Sequence, residues 1–166
     1  MIGNDVVDIL QSRKESDWQR KGFIEKLFTT SEQNLIKPHN NPELMVWVLW
    51  SMKEAAYKIY NRQAGIRAFI PHKLECSLAT EGDITTGIVL IDDNTYFTRT
   101  IIYQDSIKTI ATDTEANLDN IVEIDAGEVL KDTSGLPYSL KHGKRVPVSL
   151  SHHGRVKQAV MLKYPV

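Results

Sequence analysis

The sequence predicts an α+β protein in which an antiparallel sheet packs against helices. The helical signal is strongest in residues 47–60 (WVLWSMKEAAYKIY), which contain no Gly or Pro and many good helix formers. The strand signal is strongest in residues 70–112, where β-branched runs alternate with short polar turns. Because strands joined by short turns pair antiparallel, this second region predicts a β-meander.

Length and composition limit the class of protein. The chain has 166 residues, of which 42% are hydrophobic and 25% charged, so disordered and fibrous classes are excluded. The formal net charge of −1 gives no overall attraction to nucleic acid or to a membrane surface. We therefore expect one domain over residues 1–166 that binds neither nucleic acid nor membrane.

Three signals favour a soluble protein in a reducing compartment. Residues 1–10 lack the basic segment and long apolar core of a signal peptide. No apolar run approaches the roughly 20 residues that cross a bilayer. The lone Cys76 cannot form an internal disulfide. We expect a cytoplasmic location.

The first part of the chain predicts a strand followed by three helices. Residues 2–7 are rich in β-branched side chains and predict the strand, and Asp8 is placed to cap the next helix. Pro42 suits the first turn of the third helix, and Gly65 suits its end. The three helices are expected at about residues 10–26, 30–37 and 43–61.

The rest of the chain predicts strands, because β-branched runs recur between turn residues. The strands are expected at residues 70–78, 84–90, 94–103, 106–112, 146–150 and 156–162. Residues 119–129 are ambiguous, since their first half favours a strand and residues 126–130 favour a short helix. Residues 151–155 (SHHGR) predict the turn between the last two strands.

The central helix combines charge and bulk on one face. Its core-facing side is predicted from apolar residues at three- and four-residue spacing, namely Met45, Val48, Leu49, Met52, Ala55, Ala56 and Ile59. Glu54 and Lys58 lie one turn apart on another face, which continues through Ser51, Trp50 and Trp47. A surface ion pair alone is worth a few tenths of a kcal/mol and leaves two tryptophans on a solvated face unexplained. The pattern therefore predicts a partly dry pocket that contains charge.

Two of these segments resemble the signature motifs of the 4′-phosphopantetheinyl transferases. Residues 3–5 (GND) resemble the family's G-x-D motif, and residues 50–58 (WSMKEAAYK) match (F/W)-(S/C/T)-x-K-E-(A/S)-x-x-K at every defined position. Residues 135–137 (GLP) and 149–152 (SLSH) look like the family's G-x-P and S-x-S-H segments. The resemblance covers about residues 1–78 and 132–166.

The resemblance implies a reaction and its residues. Members of this family move the phosphopantetheine arm of coenzyme A to a carrier-protein serine with Mg²⁺, releasing 3′,5′-ADP. It implies that Asp5 and Glu54 hold Mg²⁺, which prefers oxygen ligands, and that Asp5, Glu54 and Lys58 are catalytic, with Glu54 as the base. Asp8 is a candidate third ligand, because Val7 stands where double-length members carry an acid. The implied coenzyme A contacts are Lys53, Lys58, Ser151 and His152.

The two histidines of the turn are interpreted differently. By resemblance to S-x-S-H, His152 contacts the phosphate of the nucleotide; the alternative is a turn histidine with one backbone hydrogen bond. His153 has no counterpart in the motif and is interpreted as a turn residue.

The resemblance also implies partners. Family members dock acidic carrier proteins on a basic segment after G-x-D, so Arg13 and Lys14 are candidate carrier contacts, although a basic run is commonly a solvated helix face. The chain is similar to the short, holo-(acyl-carrier-protein) synthase type, which implies a role in fatty acid biosynthesis. A peptidyl carrier protein is the alternative substrate. Short members are trimers with sites between subunits, so we expect self-association, with a trimer favoured. Residues 81–112 are an additional meander relative to those members.

Two functions compete at this point. The first is the transferase, and the second is a catalytically silent module that binds coenzyme A or a carrier protein. The presence of Asp5, Glu54 and Lys58 together favours the transferase, because a binding module has no need of a metal pair.

Overall fold

The computed structural model describes residues 1–163, which form four helices and ten strands. The helices are α1 (Ile9–Glu15), α2 (Phe23–Leu27), α3 (Thr30–Ile36) and α4 (Pro42–Ala64). The strands are β1 (Ile2–Asp8), β2 (Glu75–Glu81), β3 (Ile84–Ile91), β4 (Asn94–Ile102), β5 (Ser106–Thr112), β6 (Ile121–Ile124), β7 (Leu130–Lys131), β8 (Pro137–Lys141), β9 (Lys144–His153) and β10 (Val156–Leu162). No helix within the described residues is long and apolar enough to cross a membrane.

The strands form two five-stranded antiparallel sheets. The first has the order β1-β5-β4-β3-β2, and the second has the order β6-β10-β9-β8-β7. In the first sheet β1 returns to pair with β5, so that Gly3 lies opposite Ala111 and Asp5 opposite Thr109. The predicted meander and the predicted α+β class are both confirmed.

Helix α4 packs on the first sheet and forms the centre of the core. All seven residues predicted to face the core are buried. Gly3 allows close approach of β1, because a Cβ at this position would overlap the carbonyl oxygen of Ala55. The glycine of G-x-D therefore brings the next side chain on the same face of β1, that of Asp5, beside α4.

The second sheet is joined to the first through side chains of β9. Three backbone N–H groups of β1 donate to these side chains. Asn4 donates to Ser149 Oγ at 2.9 Å, Val6 to Ser151 Oγ at 3.2 Å and Asp8 to His153 Nδ1 at 2.9 Å. The alternation of these three side chains matches the period of two along a strand. One edge of β1 thus pairs with β5, and the other is held by this side-chain ladder.

Several helix boundaries follow from capping residues. Asp8 accepts from the first turn of α1, and Thr29 and Glu32 form a capping box at the start of α3. Pro42 opens α4, and Gly65 ends it in the left-handed conformation at φ 67°. These predicted starts and stops are confirmed.

The prediction of one helix at residues 10–26 is wrong. Helix α1 ends before Ser16, and α2 begins only after Gly22, which has φ 83°. Asp17 accepts from the backbone of Gln19 at 3.1 Å, a local turn that competes with the helix. Short polar side chains therefore break the segment despite its helix-forming neighbours.

The strand boundaries also differ from the prediction in places. The strand expected from residue 70 begins at Glu75, because Pro71 opens a 3₁₀ turn instead. The ambiguous segment contains both alternatives, with β6 followed by a 3₁₀ turn at Ala126–Glu128. Strand β8 was not predicted and pairs with β9.

Candidate active site

Asp5 and Glu54 lie close enough to interact, with Lys58 beside them. Burial raises the pKa of Asp5 to about 6, against the attraction of Lys58. Burial and then the negative charge of Asp5 raise the pKa of Glu54 to about 7. Burial lowers the pKa of Lys58, against the attraction of both carboxylates. Two poorly hydrated carboxylates and one ammonium leave an excess of negative charge that a cation would relieve.

Lys58 also joins the two sheets at this point. Its Nζ donates to the carbonyl oxygen of Asn4 on β1 at 2.6 Å and to that of Leu150 on β9 at 3.3 Å. An ammonium has three donors, so within the described residues one N–H of Lys58 is available to a ligand. Ser151 donates to Asp5 Oδ1 at 3.3 Å and so holds that carboxylate from the β9 side.

The donor set suits Mg²⁺ with two protein ligands. No group of three or more His, Cys, Asp or Glu side chains is gathered for a metal anywhere in residues 1–163. Asp5 and Glu54 supply hard oxygen donors, and Mg²⁺ commonly keeps waters and substrate phosphates as its other ligands. Burial raises the pKa of both carboxyl groups although Lys58 attracts their charged forms, so the pair is only partly neutralised within the protein.

Asp8 is not available as a third ligand. Its Oδ1 accepts from the backbone of Leu10 and Gln11, and its Oδ2 accepts from the Arg155 backbone and Nε, each at 2.9 Å. The side chain is 1% exposed, and the hydrogen bonds from Arg155 hold the pKa of this carboxyl below its usual range. The suggestion that Asp8 binds the metal is therefore corrected, and Asp8 is the cap of α1.

A cavity of about 350 Å³, called here the aromatic cavity, opens on one side of Asp5 and Glu54. Its apolar wall is formed by Phe23, Leu27, Trp47 and Trp50; α1 contributes Ser12 and Glu15, and the next residue, Ser16, also lines it. The rings of Phe23 and Trp47 pack edge to face at 6.4 Å. The predicted pocket beside the two tryptophans is thus present.

A second cavity of about 350 Å³, called here the basic cavity, contains Lys58 in its wall. Arg62 and Arg67 add two guanidinium groups, and Leu136 and Pro137 close the side opposite α4. Arg62 donates to the Val148 carbonyl oxygen at 2.6 Å, and burial lowers its pKa. The sequence interpretation missed both arginines; the one available signal is that Arg62 follows Lys58 by one helical turn.

Lys53 lies away from both cavities. Its side chain is 0% exposed, with Nζ 2.6 Å from Glu32 Oε2. It also donates to the carbonyl oxygens of Leu27 at 3.0 Å and Pro71 at 2.8 Å. All three donors are used, so the predicted coenzyme A contact is wrong, and Lys53 ties α4 to the start of α3.

The two histidines at the end of β9 occupy different positions from those expected. His152 is exposed at the rim of the aromatic cavity, and not beside Arg62 and Arg67. His153, interpreted as a turn residue, lies within β9, lines the same cavity and completes the side-chain ladder to β1. The period of two from Ser149 through Ser151 could have identified it.

The candidate carrier contacts lie on α1, which borders the aromatic cavity. Arg13 forms a bidentate pair with Glu43 at 2.8 and 2.9 Å, and its side chain remains 55% exposed. Lys14 is exposed on the same helix. Both are accessible to a partner that approaches the aromatic cavity.

Comparison with known proteins gives one family and one fold. The sequence model of the 4′-phosphopantetheinyl transferase superfamily matches residues 1–114. Among solved structures, the fold is similar to that of the holo-(acyl-carrier-protein) synthase of Thermotoga maritima, with a TM-score of 0.50 and 14% sequence identity over 99% of this chain and 83% of that one. At this identity the likeness concerns the fold alone. Comparison with curated proteins gives no match.

Proposed function

Because the chain belongs to the 4′-phosphopantetheinyl transferase superfamily, we propose that it transfers the 4′-phosphopantetheine arm of coenzyme A to a serine of an apo carrier protein. The reaction uses Mg²⁺ and releases 3′,5′-ADP. The observation that supports this most is the position of the cluster between two cavities: Asp5 and Glu54 border the aromatic cavity, and Lys58 borders the basic cavity.

Coenzyme A has the charge distribution that these two cavities match. Its pyrophosphate joins an uncharged, amide-containing arm to a nucleotide with a further phosphate. With the arm in the aromatic cavity and the nucleotide in the basic cavity, the pyrophosphate lies at Asp5, Glu54 and Lys58. The reverse orientation would set the anionic nucleotide against Trp47 and Trp50 and leave the guanidinium groups without an anion. Charge therefore selects the first orientation.

This orientation changes the role proposed for His152. The histidine lies at the aromatic cavity, so it meets the phosphate next to the arm and is far from the 3′-phosphate. Arg62 and Arg67 line the basic cavity and take the nucleotide phosphate instead.

The chemistry divides among the residues of the cluster. Asp5 and Glu54 would hold Mg²⁺, which when bound would neutralise charge on the pyrophosphate. Lys58 donates its available N–H to a phosphate oxygen. The carrier serine oxygen bonds to the phosphorus linked to pantetheine, the bond from that phosphorus to the ADP oxygen breaks, and the electron pair leaves with 3′,5′-ADP. Glu54 accepts the serine proton.

The carrier approaches from the side of α1. The serine must reach the phosphorus at the arm end of the pyrophosphate, and α1 borders the aromatic cavity there. Arg13 and Lys14 on this helix are exposed cations that attract an acidic carrier protein.

The test is a transfer reaction with purified components. The protein is incubated with coenzyme A, Mg²⁺ and an apo acyl or apo peptidyl carrier protein, and the intact mass of the carrier is measured. We expect a gain equal to one phosphopantetheine on at least one carrier. Binding of coenzyme A with no mass gain on any carrier would instead favour the catalytically silent module.

A further inference from the structure

The end of β9 and the turn that follows it contact the two ends of α1. At the start of the helix, Arg155 donates to the capping carboxylate of Asp8 from its Nε and its backbone N, each at 2.9 Å. At the end of the helix, Glu15 Oε2 lies 2.9 Å from His153 Nε2. Gly154 permits the contact, because it has φ +54° and a Cβ there would lie 2.5 Å from Asp8 Oδ2. This segment, residues 153–155, is therefore held to α1 at two points.

The hydrogen bonds of His153 define the state of its ring. The backbone N–H of Asp8 donates to Nδ1 at 2.9 Å, so Nδ1 is the acceptor nitrogen and carries no hydrogen. The hydrogen of the neutral ring then lies on Nε2, which donates to Glu15. Both nitrogens are used, so the imidazole has no lone pair with which to accept a proton from a substrate. His153 lines the aromatic cavity without being able to act there as a base.

We propose that His153 is a positioning residue for recognition of the carrier protein, acting through Glu15 on α1. The inference rests on the proposed function. The ring connects β9, the β1 strand that carries Asp5, and the last residue of the helix that carries Arg13 and Lys14. It thereby fixes the docking helix relative to the reacting phosphate.

The length of α1 makes this contact important. The helix has seven residues, which is too short to be stable without tertiary contacts. Arg13 and Lys14 directly precede Glu15, so release of Glu15 frays the turn that carries both cations. The carrier must then order that turn as it binds, which weakens its binding. Binding of 3′,5′-ADP, which has the nucleotide but not the arm, is unaffected, because Arg62 and Arg67 contact other elements.

Three single variants and one double variant test the proposal by steady-state kinetics. Glu15→Ala and His153→Phe should each raise the KM for the carrier about three- to tenfold, the factor that corresponds to the net contribution of one ordinary hydrogen bond. The affinity for 3′,5′-ADP, which lacks the arm and so does not enter the aromatic cavity that both residues line, should stay within about twofold. Glu15→Gln is the matched control and should behave as wild type, because its amide oxygen still accepts from Nε2–H. The double variant Glu15→Ala/His153→Phe should be no worse than the worse single one.

Hydrogen–deuterium exchange on residues 9–15 gives a readout that needs no transfer. Exchange should be faster in Glu15→Ala than in wild type and unchanged in Glu15→Gln. Unchanged exchange in Glu15→Ala would overturn the proposal, as would equal losses of carrier and 3′,5′-ADP affinity or additive effects in the double variant. If wild type transfers nothing to any carrier, the proposed function fails, and exchange alone still decides whether His153 holds α1.

Discussion

At the scale of single residues, Asp5 and Glu54 determine how the site responds to pH. Their pKa values are raised to about 6 and about 7, from ordinary values of 3.8 and 4.5. The folded protein therefore binds these protons more tightly than the unfolded chain does. As the pH rises through both pKa values, ionisation of the pair lowers the free energy of unfolding.

Neutral variants should remove this penalty. In the absence of divalent cations, Asp5→Asn and Glu54→Gln should each be more stable than wild type at pH 8, by about 1–2 kcal/mol, and close to wild type near pH 4. Urea unfolding at the two pH values measures the difference. If wild type were instead more stable at pH 8 than both variants, ionisation of Asp5 and Glu54 would not be destabilising.

The two cavities predict separate effects on coenzyme A and its analogue without the 3′-phosphate. Arg67→Ala should weaken coenzyme A about tenfold and the analogue little, because the lost contact is with a phosphate. His152→Ala should weaken both ligands equally, since His152 lies at the other cavity. Calorimetric titration of each variant with each ligand measures this. If instead His152→Ala weakened coenzyme A but not the analogue, and Arg67→Ala showed no such difference, the proposed orientation would have to be reversed.

At the scale of elements, the close packing of β1 on α4 is what brings Asp5 to Glu54. Gly3→Ala should lower the free energy of unfolding by about 2–4 kcal/mol, because the new Cβ overlaps the backbone of α4 and flexible side chains cannot relieve it. Gly22→Ala is the control: it has φ +83° and open space around it, so about 1 kcal/mol is expected. Similar losses in the two variants would indicate that β1 can move away from α4.

The sequence predicted those elements whose signals are local. The cap at Asp8, Pro42 at the start of α4 and Gly65 at its end each act within one turn, so these boundaries were predictable. The break at residues 16–22 was not, because it depends on competition between local turns and a weak helix. The apolar spacing of α4 also identified its buried face.

The contacts of the site were harder to predict because they join distant parts of the chain. Lys53 and Glu54 are adjacent in the motif, yet one points into the core and the other into a cavity. Nothing in the sequence shows that Glu32 lies 2.6 Å from Lys53. The pairing of β9 side chains with β1 likewise depends on tertiary structure, so the sequence analysis interpreted His153 only as a turn residue.

At the scale of the whole molecule, one chain brings the two halves of the site together. The G-x-D strand β1 and the S-x-S-H strand β9 contact each other within the same subunit, and Lys58 bonds to both. The expected trimer therefore stays a prediction drawn from the family, since this geometry requires no second subunit to complete the cluster.

Dilution tests whether a single chain is sufficient. If it is, the specific activity should be constant from nanomolar to micromolar enzyme, whatever the oligomeric state by sedimentation. A specific activity that falls on dilution as the oligomer dissociates would show that a neighbouring subunit contributes to the site.

The most direct test of the proposed chemistry is transfer by site variants, measured as the intact mass of an apo carrier protein. Wild type with coenzyme A and Mg²⁺ should add one phosphopantetheine to the carrier. Asp5→Asn and Glu54→Gln should each lower the rate by at least about a hundredfold while remaining folded, because each removes one of the two proposed metal ligands. Near-wild-type transfer by either folded variant would contradict the account of this site.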